Sequence, residues 1–181
     1  SEEEQEVIDL NDDWGKTTSA PPTYFAASDV SADHLDIVKT YHLVGSAKWG
    51  NYGPLEYWIV DNSESAAAEL DKTYCKRRNE LNGITNGNIN SCINREYNFV
   101  QYAKDGNAGL NTRRDQGEKW NGFIITMAFK NPYPKDEDYK QIILHEYFHV
   151  YQHSHVFSKI RSERNKLMQT NSWWSEGGAE Y

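Results

Sequence analysis

The stretch that decides the reading runs Gly122-Phe-Ile-Ile-Thr-Met-Ala-Phe129, then Asn131-Pro132-Tyr133-Pro134, then Lys135 to Val156 with His145-Glu146-Tyr147-Phe148-His149 at its middle. The first part is a run of apolar and β-branched residues of strand length, closed by a proline-rich turn. The second predicts one long helix over 135–156, opened by Asp136, Glu137 and Asp138, whose charges suit the positive end of the helix dipole. Ile142, Ile143, Leu144, Tyr147, Phe148 and Val150 make that helix apolar almost all round, so it is expected to be buried.

A buried helix is a poor place for two histidines and a glutamate without partners. Residues four apart project from one face, one turn above each other, so His145 and His149 can reach a single ion. Glu146 stands beside the first of them, where a carboxylate can take a proton from a metal-activated water. The bland alternative is a pair of histidines flanking a solvated glutamate. A zinc ion would need a third protein ligand and one open position.

Outward from this segment, the chain has 181 residues, enough for one domain with a sizeable core. Residues 1–22 are polar and acidic and read as a flexible tail, leaving 23–181 as the domain. Strands are expected at 23–28, 55–60, 96–103 and 122–129. Helices are expected at 32–47, capped by Ser31, at 64–81, capped by Ser63, at 135–156, and from about Trp173. Residues 49–54 read as a turn, and 83–91 and 104–119 as loops. This is an α+β order, a mixed sheet with backing helices, a long active-site helix and a short helical C-terminal part.

Net charge is −8, which argues against nucleic acid or an anionic membrane as partner. No apolar run reaches membrane-spanning length, and no basic-headed apolar segment opens the chain. Cys75 and Cys92 are either one disulfide or two buried thiols. A secreted chain would favour the bridge.

Near the C-terminus stands Trp173-Trp174-Ser175-Glu176-Gly177-Gly178-Ala179-Glu180-Tyr181. Together with His145-Glu146-x-x-His149 this resembles the gluzincin peptidases, the group of thermolysin and its related aminopeptidases, with matches at Trp173, Glu176, Gly177, Ala179 and Tyr181. The resemblance implies a zincin-like fold and a zinc-dependent peptidase in which His145, His149 and Glu176 hold Zn2+ and Glu146 is the general base. Glu180, one turn beyond Glu176, is then a carboxylate that orients a ligating histidine. A peptide or protein substrate would pair with a sheet edge, for which the resemblance points to the strand opened by Asn121 and Gly122. It also implies secretion. The oxyanion-stabilising group of such enzymes usually lies beyond the glutamate ligand, yet this sequence ends five residues after Glu176. That role falls to Tyr181, Tyr151 or Tyr147, or to residues beyond a truncated C-terminus.

Two other readings stay open. His155 stands at the third-histidine position of the metzincin pattern, although Gln152 replaces the glycine that lets the chain turn back to the metal. The domain could also be a non-catalytic zinc-binding or interaction module.

Overall fold

In the computed structural model, residues 13–82, 88–113, 120–130 and 136–156 are described, with 162, 163 and 166. Among them the elements run β1 (Lys16–Thr17), β2 (Thr23–Ala26), α1 (Ala32–Trp49), β3 (Tyr52–Gly53), β4 (Leu55–Val60), α2 (Glu64–Asn82), α3 (Ile89–Ile93), α4 (Phe99–Asp105), β5 (Ala108–Arg113), β6 (Gly122–Ala128) and α5 (Asp136–Val156). The class is mixed α and β, with five helices and a mixed sheet among the described residues.

The main sheet has the order β2-β4-β6-β5. β2, β4 and β6 are parallel, and β5 joins β6 antiparallel, with Ala108 opposite Met127 and Arg113 opposite Gly122. β4 and β6 are buried along their whole length, as expected for strands covered on both faces. Alternate residues feed two cores. Leu55, Tyr57, Ile59, Phe123, Ile125 and Met127 pack with Val38 of α1 and with Ile143, Tyr147 and Val150 of α5. On the other face Trp58, Val60 and Ile124 pack with Ala67 and Leu70 of α2 and with Phe99 and Ala103 of α4. Cys75 of α2 and Cys92 of α3 form a disulfide on this second face.

Three expectations are corrected. Residues 96–103 are not a strand: α4 begins at Phe99, where the Asn98 side chain accepts from the Gln101 N–H and the Asp71 carboxylate accepts from the Phe99 N–H at 3.0 Å. Gly106, at φ 69°, ends that helix. The polar segment 104–119 contains strand β5, whose place at the sheet edge explains its polarity. Finally, of the tail expected over 1–22, residues 1–12 lie outside the described residues, and the rest is anchored at two points although most of its side chains are exposed. Trp14 is buried against Phe123 at 4.7 Å between ring centroids, and β1 pairs with β3. Within the turn expected at 49–54, Tyr52 and Gly53 are the β3 residues of that pairing.

Tyr147 anchors α5 from the first core. Its ring lies on Gly45 of α1, where a Cβ would come within 2.7 Å of the ring, so glycine is what lets the two helices close. Its hydroxyl donates to the Gly50 carbonyl at 2.6 Å and accepts from the Tyr52 N–H at 3.2 Å. Burial pushes this phenol up to about 12, so it keeps its proton throughout the ordinary pH range. No helix among the described residues is long and apolar enough to cross a membrane.

Candidate metal centre

α5 turns its Ile143–Tyr147–Val150 side into the core, which aims a polar face to the flank. That face is not solvated. Glu146 and His149 are each 8% exposed, His153 7% and Gln152 2%. The picture of histidines around a solvated glutamate therefore does not fit. His145 lies one turn before His149, half-buried.

The two imidazoles converge. His145 Nε2 and His149 Nε2 are 3.0 Å apart, with ring planes at 88°. Two imidazole nitrogens at about 2.0–2.1 Å from one tetrahedral zinc would lie about 3.3 Å from each other. A few tenths of an ångström of side-chain movement would therefore admit the ion. The opposite side of the His149 ring is held: its Nδ1 lies 2.8 Å from Gln152 Oε1. An amide oxygen only accepts, so this contact favours the tautomer with the proton on Nδ1, in which Nε2 keeps the lone pair a metal needs. Glu146 follows His145 directly and is turned about 100° around the helix from it. After burial, the main influence, its negative charge is among the influences that hold the Tyr57 and Tyr102 hydroxyls protonated.

His155 is carried away from this pair. α5 continues unbroken through Val156, so His155 stands about 9 Å further along the axis than His149 and on another side. There it is exposed, its Nδ1 donating to the Tyr151 carbonyl at 2.7 Å and its ring against Tyr52 and Tyr151. Gln152 in place of glycine has continued the helix, as the sequence suggested. Tyr147, one of the residues considered for oxyanion stabilisation, spends its hydroxyl on Gly50 and Tyr52 in the core. Tyr151 is half-buried beside Phe148 and His155.

The strand expected at a sheet edge is not at one. β6, which Gly122 opens and Asn121 precedes, is hydrogen-bonded to β4 on one side and β5 on the other, so its main chain is spent. A Cβ at Gly122 would come within 2.5 Å of the Trp120 ring, which closes the spot further. The sheet edge with an unpaired side among the described residues, on the flank that α5 also contacts, is β5. Sequence reasoning missed it because strand order is not local.

Among the described residues no group of three or more His, Cys, Asp and Glu side chains gathers as a metal site. Glu176 and Glu180, with Tyr181, lie outside the described residues. The chain thus brings together His145 and His149, with Glu146 beside them. Comparisons with protein-family models, with curated proteins and with solved structures find no match.

Proposed function

We propose that this chain is a zinc-dependent peptidase of the gluzincin type. The observation that carries the reading is the approach of His145 Nε2 and His149 Nε2 to 3.0 Å on a buried face of α5, with a buried carboxylate, Glu146, next in sequence. Glu176 completes the ligand set in this reading. Zinc held there would lower the pKa of a water toward neutrality and polarise the scissile carbonyl. Glu146 takes the proton of the attacking water and hands it to the departing amine. Its burial keeps bulk water from competing for that proton. A peptide lies antiparallel along the outer edge of β5, residues 108–113, and exchanges main-chain hydrogen bonds with it as an added strand.

The antiparallel edge strand, followed by a central strand and then the helix bearing the histidines, supports the zincin-like reading as an arrangement. The Cys75–Cys92 bridge supports a secreted protein. A purely structural zinc site has no use for a buried carboxylate beside its ligand, which favours the enzyme over a non-catalytic module.

The test is metal analysis of the full chain together with hydrolysis of a quenched fluorescent peptide, with and without chelator. One zinc per chain is expected, with activity abolished by chelation. Glu146→Gln should retain the zinc and lose about 10²–10⁴-fold in rate. Activity that survives this substitution would refute the assigned base, and a chain unable to take up zinc would end the whole reading.

A further inference from the structure

An imidazole offers a metal only the ring nitrogen that lacks a proton, so whatever holds the other nitrogen decides how ready the ring is. At His149 that hold is visible. The Gln152 side chain, three residues on and 2% exposed, sets its Oε1 2.8 Å from His149 Nδ1. The acceptor is buried together with the ring, so bulk water is poorly placed to substitute for it. The same ring presents Nε2 to His145 Nε2 at 3.0 Å.

We propose that Gln152 is a positioning residue that locks His149 in the Nδ1-protonated tautomer and so aims its Nε2 lone pair at the ion. This deepens the zinc reading above and rests on it for the identity of the ion. The tautomer does not. Without metal, His149 Nε2 is an acceptor, and the proton shared across the 3.0 Å contact belongs to His145. A flexible amide one helical turn along can do this because α5 stays regular past His149. A glycine at position 152 would have no side chain to do it. The residue that continues the helix past His149 therefore gives this helix its own internal support for the ring.

The experiment uses the full-length, 15N-labelled, metal-free chain. Long-range 1H–15N spectra at neutral pH read the tautomer of His149 directly, and competition with a chromophoric chelator reads zinc affinity. Wild type should show the Nδ1–H form. Gln152→Met keeps the length and removes the acceptor. It should give mixed tautomers and an affinity about 10–100-fold lower. Gln152→Glu restores an acceptor and should restore both the tautomer and an affinity within a few-fold of wild type. A wild-type ring found in the Nε2–H form overturns the proposal. So does a methionine variant that is less stable yet keeps tautomer and affinity, since that is what a merely structural glutamine would give. The wild-type spectrum decides even if substitution at 152 prevents folding. If the spectra behave as stated while no variant binds zinc, Gln152 still sets the ring and it is the zinc reading that fails.

Discussion

Tyr147→Phe removes one oxygen and keeps a ring that fills the space over Gly45. The lost atom makes two hydrogen bonds, to Gly50 O at 2.6 Å and from Tyr52 N at 3.2 Å. Each such bond contributes about 1 kcal/mol net, and each leaves a partly buried backbone group without its partner. The sum is a loss of about 2–3 kcal/mol. In a chain of this length that lowers the melting temperature by about 5–10 °C. Urea unfolding of the metal-free chain should show a lower midpoint with an unchanged m-value, which keeps zinc linkage out of the comparison. The Tyr52 amide should also exchange faster with solvent, because its acceptor has gone. Because the phenol ordinarily titrates only near pH 12, the difference should not vary between pH 6 and 9. A loss below about 0.5 kcal/mol, or an unchanged Tyr52 amide, would refute the view that this hydroxyl pins α5 to the α1–β3 turn.

Glu176→Gln should abolish tight zinc binding whereas His155→Ala should leave about one equivalent bound; the opposite pattern, by metal analysis, would move the third ligand to the histidine. Replacing both Cys75 and Cys92 by Ala reopens a loop with a sequence separation of 17 and should cost about 3 kcal/mol in denaturant melts, with zinc stoichiometry unchanged; a cost under about 1 kcal/mol would count against the bridge as a staple. Burial pushes the His42 imidazole down to about 4, against about 6.5 unfolded. The unfolded chain then binds that proton more readily, so the contribution of His42 is whole above about pH 6.5 and drains away as pH falls towards 4. Relative to His42→Gln, wild type should lose about 2–3 kcal/mol between pH 7 and pH 4, and parallel stability curves for the two would contradict it.

Much of this architecture was legible because it is local. Ser31 accepts from the His34 N–H where a cap was expected, and α1, α2, β6 and α5 end within two residues of the positions read from periodicity. The His145–His149 meeting was legible for the same reason, since a four-residue spacing on a regular helix leaves little choice. What failed was decided at a distance. The 96–103 segment alternates like a strand, but Asn98, Gln101 and Gly106 are helix punctuation, and the Asp71 cap arrives from another helix. β5 is too polar to announce itself. Its identity depends on β6 lying beside it. Trp14 looked like part of a solvated leader because its partner, Phe123, is more than a hundred residues away. Gln152 was noticed for the turn it prevents and not for the ring it holds, which only the coordinates of both side chains reveal.

The Cys75–Cys92 bond joins helices on one side of the sheet, while His145, Glu146 and His149 ride a helix on the other. If the proposed zinc site holds, oxidation state and metal chemistry belong to separate layers. Material made in a reducing cytosol should still load with metal and work when cool, but it should have a shorter shelf life than oxidised material. Fading on storage would then report a missing crosslink, and chelation a missing ion, two failures that a single activity figure would confuse.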